Sequence, residues 1–174
     1  MANWFTAGND PATELGLILD GMLTKPTWSK SISTKEGPGD ALRHALASAY
    51  YTQKYNAPIA NLGGWLNELA NPDRGLPSYN PLATEQDDFN NAFGREVGML
   101  TTSPEEALMI ILDQMSKATN QNTFYSKNKL DASAPLVWDR ESYQNSPEST
   151  LKAINEMQDM LGEGLFKDIF KGYR

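Results

Sequence analysis

Apolar side chains recur every three to four residues along most of the chain, in blocks separated by proline, glycine and asparagine. That spacing is the signature of helices that bury one face. Leu15, Leu17, Ile18, Leu19, Met22 and Leu23 form the first block. Asp10-Pro11 opens it with a capping side chain and a proline at the first helical position, and Lys25-Pro26 closes it. Residues 27–39 read as a polar loop ending in Gly37-Pro38-Gly39, after which Asp40 opens a helix to about Tyr55. Asn56-Ala57-Pro58 interrupts the pattern, and a short helix is expected from Ile59 to Leu69. Residues 71–81 carry three prolines and a glycine and read as a loop; Thr84 is expected to cap a helix to about Leu100. Ser103-Pro104-Glu105-Glu106 has the form of a capping box ahead of a helix to about Ala118. Ser146-Pro147 starts a last long helix with Leu151, Ile154, Met157 and Leu161 on one face.

No alternating strand pattern interrupts this sequence of helices, so the expected class is all-α: a compact bundle of about five to seven helices. Residues 1–162 are read as a single helical domain, and 163–174 as a C-terminal tail. Gly162 and Gly164 precede that tail, whose Phe166, Ile169, Phe170 and Tyr173 share one helical face. Aromatic anchors at that spacing fit a groove on a partner, or fold back on the domain's own core. Residues 120–145 form a long polar connection with an isolated Leu136-Val137-Trp138, and connections of that length are usually functional or interacting.

Composition narrows the chemistry. The 174 residues include no cysteine, which removes disulfide, thiol and cysteine-ligated metal chemistry. Hydrophobic residues at 40% and charged ones at 21% are ordinary globular values, and a chain this long buries roughly 70% of its unfolded surface without a staple. The formal charge of −7, from 15 basic and 22 acidic side chains, argues against a protein that coats nucleic acid. No stretch has the ~20 apolar residues of a membrane span. The start, Met1-Ala2-Asn3-Trp4-Phe5, lacks the basic and apolar regions of a signal peptide, so a soluble protein is expected.

Two helices carry polar side chains where solvent-facing Lys and Glu would be ordinary. On the first, Leu42, Ala45, Leu46 and Ala49 form the apolar stripe, while Asp40, His44, Ala47 and Tyr51 fall opposite, with Ser48 beside them. Small and aromatic residues on that face point to a second element covering it. His44 is the single histidine, and Asp40 one turn earlier is within reach of its ring. A carboxylate on one ring nitrogen fixes the tautomer and leaves the other as base or ligand. On the second helix Phe89, Phe93, Val97 and Leu100 make the apolar stripe, and Asp87, Asn91, Gly94 and Gly98 line up on the other side. Two helical glycines cost about 1 kcal/mol each against alanine, a cost offset where another backbone passes close. This face is therefore expected to be buried too, with Arg43, His44 and Arg95 as partners for its Asp and Asn side chains. His44 and Asp87 or Asn91 should lie in contact. Glu68, in Gly63-Gly64-Trp65-Leu66-Asn67-Glu68, is a further carboxylate that this cluster can recruit.

The order Asp40-Ala41-x-Arg43-His44-Ala45, then Glu68, then Asp87-x-x-Asn90-Asn91-x-x-Gly94-Arg95 resembles an uncharacterised bacterial and phage family, the DUF6973-like domain of unknown function. The resemblance spans about residues 37–98. Members occur as stand-alone proteins and at the ends of large secreted toxin-like chains. It implies a compact helical domain with a polar site, but no reaction, and it implies the bacterial cytoplasm or a phage particle as location. The family usually has His-Glu where this chain has Asn67-Glu68, so a two-histidine metal site is absent here.

Nucleotide-binding loops, the serine-hydrolase elbow and the two-histidine zinc motif are all missing, and nothing in the sequence orients Ser48 as a nucleophile. Two functions stay open. One is a structural or assembly protein of virion type, built on a hydrolase-like domain whose polar cluster fixes helix register and whose partners are other protein subunits. The other is a hydrolase in which Asp40, His44, Glu68 and Asp87 are catalytic. There Arg43, Asn90, Asn91 and Arg95 bind substrate, and a divalent cation held by the carboxylates is compatible with the residue types. Solvent access to the cluster distinguishes them. The sequence evidence leans slightly to assembly.

Overall fold

The computed structural model describes residues 37–69, 81–121, 136, 138 and 147–164; side chains 66–69, 81, 82, 120 and 121 lie outside that set. Five helices and no strand occur among the described residues, so the all-α bundle expected from the pattern is the observed class. The helices are α1 (Pro38–Tyr55), α2 (Ala57–Leu69), α3 (Pro81–Leu100), α4 (Pro104–Gln121) and α5 (Pro147–Gly162). None is long and apolar enough to cross a membrane. The expected helix near residues 10–25 and the tail from 165 onward lie outside the described residues.

Three starts are earlier than the pattern suggests, each because proline takes a first-turn position instead of ending a loop. Gly37 is the N-cap of α1 and Pro38 follows it; the Gly37 carbonyl accepts from the N–H groups of Asp40 and Ala41, both at 3.1 Å. In α2 the helix begins at Ala57, with Pro58 in its first turn. In α3 it begins at Pro81, not Thr84.

Asn56 handles two helix ends at once. Its N–H closes α1 on the Thr52 carbonyl at 3.0 Å, and its Oδ1 accepts the Ile59 N–H at 3.1 Å to cap α2. Its φ of 103° is a backbone conformation disfavoured for a residue with a Cβ, and asparagine tolerates such positions better than most. At the start of α4, Ser103 Oγ accepts the Glu106 N–H at 3.2 Å. The Glu106 carboxylate reaches past the cap to the N–H and hydroxyl of Thr102, at 2.8 and 3.0 Å. These bonds, backbone first, lower the Glu106 pKa from the usual carboxylate value.

The core forms around α1. Ala41, Leu42, Ala45, Leu46 and Ala49 are fully buried, and Asp40, Ser48, Tyr51 and Thr52 on its other side are buried as well. The helix packs against α2, α3 and α4, with α5 laid on α4. Ala107, Leu108, Ile111, Leu112 and Met115 of α4 and Ala153, Ile154 and Met157 of α5 complete the core. Leu136 and Trp138 are fully buried in it. These apolar residues of the long connection are therefore core, while the rest of 122–146 lies outside the described residues.

The relation of α1 to α3 positions everything that follows. His44 meets Asn91, Ala45 meets Gly94, Ala49 meets Gly98, and Gln53 meets Thr101, so residue numbers rise together and the helices run parallel. A Cβ on Gly94 would collide with the Ala45 carbonyl, and one on Gly98 would lie 2.5 Å from the Ala49 carbonyl oxygen. The two glycines are there because two backbones touch, as the helical glycines led one to expect. At the far end Gln53 Nε2 donates to Thr101 Oγ1 at 2.8 Å and to the Ser103 carbonyl at 3.0 Å, locking the register.

Candidate functional site

The glycine contacts bring the polar faces of α1 and α3 into one seam. Asp40, His44 and Ser48 are spaced one turn apart on α1, and Asp87 and Asn91 one turn apart on α3. Parallel packing sets these two rows side by side.

Asn91 is the hub. It is buried, and its Oδ1 accepts from Ser48 Oγ at 2.9 Å and faces His44 Nδ1 at 3.3 Å. An amide oxygen can only accept, so a ring that bonds it does so through a hydrogen on Nδ1. A Cβ on Gly64 of α2 would lie 3.5 Å from Asn91 Nδ2, so a third helix closes over the amide.

In the neutral tautomer that carries its hydrogen on Nδ1, the His44 lone pair is on Nε2. That nitrogen lies 3.3 Å from Asp87 Oδ1 and 3.8 Å from Asp40 Oδ1. Arg43 Nη2 donates to the same Asp40 oxygen from the exposed side. The seam is not sealed: side-chain exposure is 14% for His44, 18% for Asp87 and 41% for Arg43, against 8% for Asp40. Burial lowers the His44 pKa below its ordinary 6.5, and the charge of Arg43 acts in the same direction. The charges of Asp40 and Asp88 and the Asn91 bond pull upward and are outweighed. The ring edge bearing Nε2 thus meets two carboxylate oxygens, one of which also accepts from Arg43.

Of the residues singled out in the sequence, Asp40, Arg43, His44, Asp87 and Asn91 come together here. Asn90 is fully buried one step round α3 from Asn91. Arg95 is half-buried further along α3; burial lowers its pKa, opposed by the charges of Asp88 and Glu96 on its own helix. Glu68 lies one turn beyond Gly64 on α2, and its side chain is outside the described residues. One participant carried no clear sequence signal: Ser48 serves as a donor to Asn91, and its helical spacing from His44 is the one hint of that. Elsewhere on α3 Gln86 is buried, with no hydrogen-bond partner for its amide among the described residues.

No family model matches the chain, and no curated protein or solved structure is significantly similar to it.

Proposed function

We propose that the chain is a hydrolase whose reaction centre is the α1–α3 polar seam. The observation that carries this reading is the orientation of His44: Nδ1 is held by Asn91, and Nε2 faces Asp87 and Asp40 at an edge that solvent reaches. In the tautomer that keeps its hydrogen on Nδ1, Nε2 has a lone pair for a proton or a cation at that edge.

Water entering this edge would be held by the converging acceptors and lose a proton to them as its oxygen attacks an electrophilic carbon or phosphorus. The bond to the leaving group then breaks, and the same proton passes to the leaving group. Arg43, bonded to Asp40 and exposed at the rim, would set a positive charge beside an anionic substrate group. Asn91 and Ser48 position the ring and touch no substrate. The resemblance to the uncharacterised bacterial and phage family fits a polar site at these residues and supplies no reaction.

The test is turnover by the purified full chain on panels of esters, phosphodiesters, glycosides and peptides. His44→Ala should lower any turnover found by about 10²–10⁴-fold. Asp113→Asn, at an exposed pair with Lys117 on α4, should leave it unchanged. Failure to turn over any panel member, or turnover that survives His44→Ala, refutes the reading.

A second reading, an assembly protein of virion type, is favoured by exposed apolar side chains. Leu62 and Trp65 on α2, and Met99, Leu100 and Met109 at the α3–α4 junction, are each more than half exposed. Contiguous exposed apolar surface marks contact sites, and these side chains are the candidates for it. Sedimentation of the full chain and of Leu100→Glu tests it: a concentration-dependent oligomer that the substitution dissolves supports assembly, and a monomer at all concentrations refutes it.

A further inference from the structure

Three candidate ligand atoms from two helices converge at the rim of the seam: Asp40, His44 and Asp87 each offer one, all within 4.8 Å of one another. The nitrogen is 3.3 Å from one oxygen and 3.8 Å from the other. A zinc-like ion with ligand arms of ~2.0–2.2 Å holds neighbouring ligand atoms roughly 3.3–3.6 Å apart across a tetrahedral angle. The spacing found between nitrogen and carboxylates brackets that edge.

The surroundings have the form that metal-binding histidines require. A ligating imidazole almost always donates its other N–H to a carboxylate or carbonyl oxygen, which fixes ring orientation. Here Asn91 Oδ1 occupies that position and Ser48 fixes Asn91. Asp40 is buried while His44 and Asp87 are half-buried, so the three atoms sit at a mouth and not on an open surface. The donors come from helices whose backbones touch at Gly94 and Gly98, so their separation is set before any ion arrives.

We propose that Asp40, His44 and Asp87 bind one first-row divalent cation of the zinc or manganese class. One imidazole nitrogen with two carboxylate oxygens suits such ions better than calcium or magnesium, which take oxygen ligands. Three protein ligands leave at least one position for water, and in the proposed hydrolytic centre that water is the nucleophile. His44 would then be a ligand and not the base, and the ion-bound water would pass its proton to solvent water at the mouth of the seam. The role of the ion in hydrolysis rests on the reading of the seam as a reaction centre; its binding does not.

The experiment is calorimetric titration of the full chain, without a histidine tag, with Zn²⁺, and in parallel with Mn²⁺. One equivalent of at least one ion should bind saturably. His44→Gln and Asp87→Asn should each weaken binding by at least tenfold, and Asp113→Asn should not. Circular dichroism establishes that each variant is folded. Because His44 is the single histidine, ring ¹⁵N spectra of the unaltered protein give a second readout that needs no variant: the ion should shift Nε2 and leave the Nδ1–H in place. Absence of saturable binding, binding untouched by both substitutions, or a ring spectrum unmoved by saturating ion each overturns the proposal. Binding without turnover of any substrate keeps the ion site and removes the hydrolase reading. Turnover with no bound ion does the reverse.

Discussion

Gly94→Ala should destabilise the protein, although alanine is the better helix former. A methyl at Gly94 would meet the Ala45 carbonyl and lie 2.8 Å from Ala45 Cα. These are backbone atoms of a fully buried turn of α1, so they cannot rotate away as a side chain would. Reaching ordinary contact requires α1 and α3 to part by roughly 1 Å in a region packed at crystal-like density. Overpacking of this kind costs typically 1–3 kcal/mol, and rigid backbone on both sides puts it near the top of that range. Relief of the helical glycine returns about 1 kcal/mol. The net is a loss of about 2 kcal/mol, or a melting point lower by about 4–8 °C for a chain of this size. Gly63→Ala is the internal control. It too is a helical glycine, yet a Cβ there has nothing within 4 Å, so only the propensity gain remains. That variant should be about 1 kcal/mol more stable. Urea unfolding followed by circular dichroism measures both. If Gly94→Ala matches or exceeds the parent in stability, or if the two substitutions shift it in the same direction, the touching helices are not as described.

Trp138→Ala should cost about 3–5 kcal/mol in the same assay, since its side chain is fully buried in the core; a loss under 1 kcal/mol would place this residue outside the core. Gln86→Met should leave stability unchanged or raise it, because it removes a buried amide with no partner among the described residues; a clear loss would mean that the amide is satisfied. The lowered His44 pKa makes the unfolded chain the stronger proton binder between the folded-state value and 6.5. That contribution to stability is complete above pH 6.5 and is lost as the pH falls through this window. His44→Gln should flatten the slope there relative to the parent, and a parent that gains stability as pH falls through 6.5 contradicts a ring held neutral by burial.

The fold class was legible because apolar spacing and proline-led helix starts agree along the chain. The pattern places three helix starts too late because proline reads as the end of a loop, whereas Pro38, Pro58 and Pro81 each lie in a first turn. Gly94 and Gly98 announced a close backbone approach, and together with the polar rows of Asp40, His44, Asp87 and Asn91 they were enough to infer a shared seam. What spacing alone cannot give is relative direction. Parallel packing of α1 on α3 decides that Asn91, and not Asp40, takes His44 Nδ1, and so which ring nitrogen faces the carboxylates. Leu136 and Trp138 were hidden for a different reason: an apolar pair inside a polar connection has no period, and burial there is a tertiary event.

The central claim is that the α1–α3 seam holds His44 as the Nδ1–H tautomer, with Nε2 as an acceptor among carboxylates. The most direct measurement is the long-range ¹H–¹⁵N spectrum of the imidazole ring at pH 7.5, in the full chain with metals removed. One histidine gives one ring to assign. The account predicts a single neutral species, protonated at Nδ1 and unprotonated at Nε2, whose Nδ1 proton is lost to exchange more rapidly once Asn91→Ala removes its acceptor. A ring protonated at Nε2, or one averaging between tautomers as a free imidazole does, would contradict it.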